Sequence, residues 1–436
     1  MPAAVVAVAF SGGRDSTALL HATLAAATPF GLTVVALHVH HGLSPNADAW
    51  VDWCASRCRR WARQGLPVTF AAERLEGGPG AGDSVEAWAR RARYRALRAM
   101  AIAHGADLVL LGHHRQDQAE TFLLQALRGA GAAGLAAMPR LARRQGVSWA
   151  RPWLAQPRAA IESYVRRHRL AYLDDDTNAD CRFARNRLRA AVWPALVGAF
   201  GDAEQCLSGA ARRLAEASAL LDECATEDLA RIAGDASSLD VAGWLALSPA
   251  RRGNALRAWL RAVVGDAVPA SLGERLVVEL PRAPNGRWPT PAGELRRHRG
   301  RLHHVAGAPT GPPIGPAVEL DLSRVGDYVL PGWQGSLRVR RVAEHGIALS
   351  TASSLEVRGR SGGERFQPGL QRPARGLKKQ YQAAGVPEWQ RAGPLLFAEG
   401  VVAFVPGLGI DARVVAAPGR AQVALEWLPL HASLDV

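Results

Sequence analysis

The chain has 436 residues, which at about 150 residues per domain suggests two or three domains. Hydrophobic residues make up 48% and charged residues 21%, a balance that excludes wholesale disorder. The net charge of +14 points to a polyanionic partner, most often nucleic acid. No run approaches the roughly 18 apolar residues of a membrane span, so no membrane partner is expected. The apolar stretch 5–10 has no basic residue before it and no small-residue cleavage pattern, so a cytoplasmic protein is expected. All but two of the 53 basic residues are Arg; the exceptions are the adjacent Lys378 and Lys379. Five Cys, scattered and odd in number, argue against a disulfide framework, and no pair has the two-residue gap of a zinc ribbon or redox motif.

In chain order, VVAVAF (5–10) predicts a buried strand and 15–27 the helix after it. A second strand is predicted at 32–40 and a helix at 46–64 with Asn46 as its cap. A third strand follows at 67–73, then a long Arg-studded helix at 83–104, capped by Asp83 or Ser84. DLVLLGHH (107–114) reads as a fourth strand, with a helix running on to about Arg128. Strand–helix alternation at this spacing argues a parallel α/β sheet, which binds ligands at the carboxyl ends of its strands. Ser11 to Ser16, His38 to His41 and His113 to Glu120 all fall there. From 185 to 265 the pattern is helical, from 282 to 305 it suggests short strands, and 307–317 is a Pro- and Gly-rich linker. Residues 318–436 read as short β segments with turns.

SGGRDS (11–16) joins a predicted strand to a predicted helix. Gly12 and Gly13 let the backbone curl around an anion, and the free N–H groups of the loop and helix start point at it. Ser11 and Ser16 add hydroxyl donors and Arg14 a positive charge. Asp15 would repel phosphate, so it caps the helix or holds a magnesium ion. The spacing is neither the Walker pattern nor the dinucleotide pattern. Taken alone, the same residues suit any helix-capping turn.

Near the fourth strand, Asp117 and Glu120 lie three apart on one helical face. Two carboxylates at a helix start, beside a phosphate loop, are what a magnesium–ATP site requires, although they also suit the dipole of any helix start. His113 and His114 sit at the strand tip, where they could contact phosphate or substrate. With His38, His40 and His41 they would also suit zinc, but no Cys ligand accompanies them.

SGGRDS in this setting resembles the loop of the N-type ATP pyrophosphatases, the PP-loop superfamily. SGGRDS, HVHHGLS (38–44), VEAWARRARYRAL (85–97), HHRQDQAETFLLQALRGAGAAGLAAM (113–138) and RPWL (151–154), in that order, resemble the tRNA(Ile)-lysidine synthetase family. So do DDDTNADCRFARNRLRAAVWPAL (174–196), RSGGERFQPG (360–369) and the stretch 375–411. The likeness is weakest from about 220 to 350. Many family members carry two adjacent acidic residues where this chain has Gln116–Asp117, which leaves Asp117 alone as a metal ligand in that pair.

The resemblance implies a PP-loop ATP-binding catalytic domain at 1–215 with a parallel α/β sheet. It also implies a mainly helical tRNA-binding domain at 216–306 and, beyond the linker, a small α+β tRNA-binding domain at 318–436. It implies two steps. The wobble cytosine of an isoleucine tRNA with a CAU anticodon is adenylated by ATP, releasing pyrophosphate, and the ε-amine of L-lysine then displaces AMP. The site residues it implies are Ser11, Gly12, Gly13, Arg14, Asp15 and Ser16 for ATP, Asp15 and Asp117 for Mg2+, and Asp117, Glu120 and His113 for catalysis. Arg90, Arg91, Arg93, Arg128, Arg187, Lys378 and Lys379 are the tRNA contacts expected, with Tyr94 or a Trp free to stack on an unpaired base. Any one of these Arg could equally be a solvated charge in an Arg-rich chain. The carboxylate of lysine needs a cation, expected to be Arg. A second copy of the chain is a further candidate partner. Trp389 and Phe366 are expected in the core of the last domain.

Three other readings compete. A tRNA thiolase of the same superfamily would carry sulfur on a reactive Cys or an iron–sulfur cluster, and no CxxC motif is present. A non-catalytic RNA-binding protein would not need SGGRDS, Asp117 and Glu120 together. A small-molecule amide ligase would not need a basic C-terminal domain.

Overall fold

The computed structural model describes the chain except residues 1–3, 43–45, 79, 81–83, 174–181, 235–237, 266–267, 292, 307–316 and 430–436. The cap candidate Asp83, the acidic turn at 174–181 and all but the last residue of the linker at 307–317 therefore lie outside the described residues. The chain forms two compact units, Met1–Leu221 and Asp222–Val436.

The first unit runs β1 (Val5–Ala9), α1 (Arg14–Ala27), β2 (Thr33–His40), α2 (Ala47–Arg63), β3 (Val68–Arg74), α3 (Val85–Ala103), β4 (Ala106–Leu110) and α4 (Arg115–Ala126). It continues with α5 (Ala132–Leu135), β5 (Leu141–Arg144), β6 (Val147–Ala150), α6 (Arg158–Arg167) and α7 (Ala184–Arg187). A π-helical turn (Leu188–Val192), α8 (Trp193–Ala199) and α9 (Ala203–Ile232) follow, the last running across the division between the units. The sheet order is β3-β2-β1-β4-β6-β5, parallel throughout except for β5. Strands covered on both faces are apolar on both. Val8 and Ala36 pack with Leu20, Leu24, Cys54 and Ile161 on one side, while Ala7, Val35 and Leu37 pack with Leu97, Met100 and Trp149 on the other.

This order places a topological switch between β1 and β4. One strand continues outward through α1 to β2 and the other is reached by crossing back through α3; in open α/β sheets the crevice between such carboxyl ends is where ligands bind. Ser84 caps α3 by accepting from the Ala87 N–H. One expectation needs correction, and two elements were not anticipated. β4 ends at Leu110, so His113 and His114 lie in the loop beyond the strand and not at its tip. The hairpin β5–β6 has no counterpart among the predicted strands, because LARRQGVSWA (141–150) has no sustained alternation, and α6 has none among the predicted helices. β2 ends at His40, where the predicted strand ends, so His41 follows it.

The second unit opens with β7 (Ser238–Asp240), α10 (Val241–Ala246), α11 (Pro249–Val264) and α12 (Ala270–Glu279). These pack with the antiparallel strands β8 (Arg287–Thr290), β9 (Gly293–His298) and β10 (Arg301–Ala306) on a core of Trp244, Leu256, Trp259, Leu276, Trp288 and Leu302. Further on come β11 (Val318–Leu320), β12 (Gly326–Leu330), β13 (Gly335–Val342), β14 (Ile347–Ala348), α13 (Leu349–Ala352) and β15 (Leu355–Arg358). The chain then forms β16 (Arg365–Phe366), β17 (Arg375–Gly376), α14 (Leu377–Ala384), β18 (Leu395–Ala398), β19 (Val401–Val405), β20 (Gly409–Ile410) and β21 (Gln422–Pro429). The sheets β11-β15-β18-β19-β20 and β12-β13-β21-β14 share the core of Leu337, Val339, Leu355, Leu396, Phe404 and Val423. Phe366 is buried, as expected, with Leu377 and Tyr381. Trp389 is a correction. It is half-buried outside that core, where its indole packs against His298, His303 and Arg296 of β9 and β10 through ring and cation–π contacts.

Candidate active site

The glycine loop and the carboxylate helix meet at the switch point. Gly12 has φ +86°, and a Cβ there would stand 2.8 Å from Leu173 Cδ1 and 2.9 Å from Cys54 Sγ, so glycine is required for both shape and space. The Leu173 N–H donates to the Gly12 carbonyl at 2.9 Å and straps the loop from outside. The Ser16 hydroxyl donates to the Gly13 carbonyl at 2.9 Å and lies 3.1 Å from that of Ser11, which ties the two serines across the turn. Gly112 brings the second loop close, since a Cβ there would sit 3.3 Å from the Asp15 carbonyl oxygen. Arg14 is turned to one side. Its Nη1 donates to Glu162 at 2.8 Å and its Nε to Asp15 at 3.1 Å, so its charge is already matched by two carboxylates.

Helix α4 starts at the mouth of this crevice. Asp117 caps it by accepting from the His114 N–H at 3.0 Å. Arg189, on the π-helical turn, clamps both carboxylates: Nη2 donates to Asp117 at 2.7 Å and Nε to Glu120 at 2.8 Å. Single π turns of this kind are frequent at functional sites. Burial pushes the Asp117 carboxyl upward, but His114, the His114 N–H and Arg189 together hold it below the usual range. Glu120 is wholly buried; its Oε1 accepts from Gln116 at 2.9 Å, and its Oε2 makes no hydrogen bond, with Arg185 Nε 3.7 Å away. Gln116 therefore supplies a neutral donor at a point where a second acid would face Glu120 directly.

His113 is held neutral. Burial, with Arg151, Arg93 and Arg185 beyond the opposing pull of Asp117, lowers its pKa to about 3. Its Nδ1 is buried without a hydrogen-bond partner, so it suits the role of proton acceptor better than that of phosphate cation. The His114 Nε2 lies 3.4 Å from Asp117 Oδ2 and 3.7 Å from Asp15 Oδ2, so the two carboxylates converge on one point at the phosphate loop. One or two carboxylates with room for phosphate oxygens fit Mg2+, a hard ion that keeps several waters. Asp15 is the freer of the two, with its side chain 30% exposed. Among the described residues no three His, Cys, Asp or Glu side chains cluster as a metal cage.

The histidines of the second strand stay apart from this chemistry. His38 is buried and donates from Nδ1 to the Phe10 carbonyl at 2.9 Å, which ties β2 to the end of β1. Burial lowers its pKa. His40 faces Asp48 at 3.3 Å.

The arginines expected to meet RNA divide into two groups. Arg90, Arg91, Arg128 and Arg187 are exposed, as are Lys378 and Lys379 on α14 of the second unit. Arg93 is half-buried. Tyr94 is not available for base stacking, because it packs on Trp149 at 4.9 Å and accepts from Arg151. The residues missed by sequence reasoning are Arg189 as the clamp and Arg151 beside Tyr94. Arg151 opens the RPWL motif immediately after β6. Its position at the ligand end of a strand was hidden because that strand was.

Comparison with known proteins agrees with this geometry. A PP-loop domain matches residues 1–196. A TilS substrate-binding domain matches 239–303, inside the region where the sequence motifs were weakest, and a TilS substrate C-terminal domain matches 355–427. The chain is similar to a tRNA(Ile)-lysidine synthase of Ralstonia nicotianae, 44% identical over 97% of this chain and 92% of the relative. It is likewise similar to proteins of that name from Alkalilimnicola ehrlichii (40% identical, 98% and 95% covered) and Burkholderia mallei (38% identical, 97% and 93% covered). No helix among the described residues is long and apolar enough to cross a membrane.

Proposed function

The chain belongs to the tRNA(Ile)-lysidine synthase family, and from that premise we propose that its site joins L-lysine to the wobble cytidine of an isoleucine tRNA with a CAU anticodon. It is an ATP-dependent, tRNA-modifying ligase that makes lysidine. The thiolase alternative is not favoured, since the relatives are lysidine synthases along nearly their whole length. The observation that carries the site assignment is the convergence of the glycine loop and the Asp117–Glu120 helix at one switch point.

In the first step the cytosine O2 bonds to the α-phosphorus of ATP and the bond to pyrophosphate breaks. The loop N–H groups from Gly12 onward and the hydroxyls of Ser11 and Ser16 receive the phosphates, and α1 directs its N-terminus at them. Asp15 and Asp117 would hold Mg2+, which would supply charge neutralisation for the departing pyrophosphate. In the second step the ε-nitrogen of lysine bonds to C2 of the base, and the C2–O bond breaks with its electron pair leaving on AMP. His113, neutral and with a free Nδ1, takes the proton that the amine loses, and Glu120 with Asp117 orients the amine. Arg90, Arg91, Arg128, Arg187, Lys378 and Lys379 meet RNA phosphates from exposed positions.

The test is incorporation of labelled lysine into a CAU-anticodon isoleucine tRNA transcript, with methionine tRNA of the same anticodon as control. Labelling of the first alone, dependent on ATP, is expected; AMP formation on another tRNA without lysine transfer would move the substrate to a different modification. Asp117→Ala should abolish pyrophosphate release while tRNA still binds, and undiminished release would remove Asp117 from the mechanism.

A further inference from the structure

The phosphate loop carries a guanidinium directly beside a carboxylate assigned to a metal. Arg14 precedes Asp15, and an arginine competes with a cation for the same carboxylate oxygens. Two arginines of the second unit take both oxygens of an aspartate side-on. Arg413 reaches Asp411 through Nε at 2.9 Å and Nη2 at 2.8 Å, and Arg338 reaches Asp327 through the same two nitrogens at 2.8 and 2.9 Å. Arg14 does otherwise. It gives Asp15 a single bond, from Nε to Oδ1 at 3.1 Å, and its Nη1 is drawn away to Glu162 Oε1 at 2.8 Å. The second oxygen of Asp15 faces His114 Nε2 at 3.7 Å, on the side where Asp117 converges.

Glu162 is well fixed for this task. Helix α6 carries Ile161 and Val165 into the core that also holds Leu20 and Leu24 of α1. The Tyr164 hydroxyl lies 2.9 Å from His21 Nδ1, a second tie between the same two helices. Glu162 stands beside this apolar stripe, and its Oε1 also accepts from Arg158 Nε at 3.1 Å. Two guanidiniums thus converge on one carboxylate oxygen. The side chains of Arg14, Asp15 and Glu162 are all half-buried, so water screens their charges incompletely. Together Arg14, Arg158, Asp15 and Glu162 are electrically balanced. Without Glu162 the group is net positive beside a site for a doubly charged ion, and the loosened Arg14 is free to close side-on over Asp15.

We propose that Glu162 is a positioning residue for the metal site: it holds the Arg14 guanidinium off the second oxygen of Asp15 and offsets its charge, which keeps Asp15 open to Mg2+. Glu162 acts through Arg14 and not by contact with the reacting atoms. The proposal rests on the reading of Asp15 as a magnesium ligand. It also gives Arg14 a place outside the ATP contacts, since its charge is engaged by α6 and the phosphates are left to the loop N–H groups and the serine hydroxyls. The restraint is needed only because residue 14 is a cation, so removing that cation removes the need for it.

The experiment measures binding of Mn2+, used in place of Mg2+, from the electron paramagnetic resonance signal of the free ion. The full chain is mixed with an ATP analogue whose α and β phosphates are bridged by methylene, so no turnover occurs. Asp15→Asn should weaken Mn2+ binding about tenfold or more, as for loss of a carboxylate ligand. Glu162→Gln should raise the Mn2+ dissociation constant about five- to tenfold, the effect of one uncompensated charge at short range. In an Arg14→Leu background the same change should have less than about a twofold effect, because the guanidinium it restrains is gone. Arg14→Leu alone should bind Mn2+ no more weakly than the wild type, a result that stands whether or not Glu162→Gln folds. In pyrophosphate release, Glu162→Gln should need more Mg2+ for half-maximal rate, and added Mg2+ should recover the rate. Unchanged Mn2+ affinity in Glu162→Gln, with Asp15→Asn weakened, overturns the proposal and leaves the metal assignment standing. Unchanged affinity in Asp15→Asn overturns that assignment, and the proposal with it. An equal effect of Glu162→Gln with and without Arg14, weaker binding in Arg14→Leu, or a rate that excess Mg2+ does not recover would each make α6 a general support of the loop and overturn the proposal.

Discussion

Glu120 in the first unit and Asp411 in the second are both fully buried carboxylates held by arginine, yet their surroundings differ. Asp411 is closed on itself: Oδ1 accepts from the Arg413 N–H and Nε, and Oδ2 from the Gln367 N–H and Arg413 Nη2, all between 2.8 and 3.0 Å. Both of its oxygens are satisfied, and most of its partners are two residues away. Glu120 draws Arg189 from a distant segment, keeps one oxygen without a hydrogen bond, and has a histidine with an orphaned nitrogen in the same site. Burial and ion pairing alone therefore do not mark a functional acid. Unspent hydrogen-bonding capacity beside other ionisable groups is the better marker, because most buried polar atoms in a native structure are paired and the exceptions call for water, an ion or a ligand.

The comparison breaks most readily by exchanging the two effects. Glu120→Gln should lower lysidine formation by about 100-fold or more, with the melting temperature little changed, since Gln keeps the volume and the contact with Arg189 Nε is lost from a side chain that reaches solvent. Asp411→Ala should do the reverse: it should destabilise the second unit by about 2–4 kcal/mol, as for other broken buried pairs, and lower Tm by several degrees, with turnover per folded molecule retained. Calorimetry and initial rates on the two variants decide between these outcomes. A stable but inactive Asp411→Ala would erase the distinction.

A smaller effect concerns pH. His113 has a pKa near 3 in the folded protein against an ordinary value near 6.5. Below pH 6.5 the unfolded chain binds a proton that the native state refuses, so stability is full above that value and declines as pH falls toward 3. His113→Asn should flatten this decline between pH 6.5 and 4.5, read as Tm against pH; an unaltered slope would mean that His113 is not held neutral. The smallest effect belongs to the exposed charges. Replacing Lys378 and Lys379 together by Ala should weaken tRNA binding severalfold and reduce the salt slope by about one to two, with ATP affinity unchanged. An unchanged slope would make this pair ordinary surface charge.

The sequence alone established the α/β class, the phosphate loop, the carboxylate pair and the family. Each is a local pattern: Gly12 and Gly13 between strand and helix, Asp117 and Glu120 at a spacing of three, motifs in a set order. It also foresaw that Phe366 would be buried. It did not show that Trp389 would sit outside its domain's core, that β6 would join the sheet, or that Arg151 would stand beside Tyr94. Nor did it separate Arg93 from the arginines around it in VEAWARRARYRAL, since a run of identical charges carries no sign of which one faces inward. Only the tertiary structure brought Arg189 onto Asp117 and Glu120 across about seventy residues of chain. Periodicity and spacing report what neighbours in sequence do, whereas pairing across the chain depends on how the sheet and its loops close, and that closure is where the charges of this site acquired their roles.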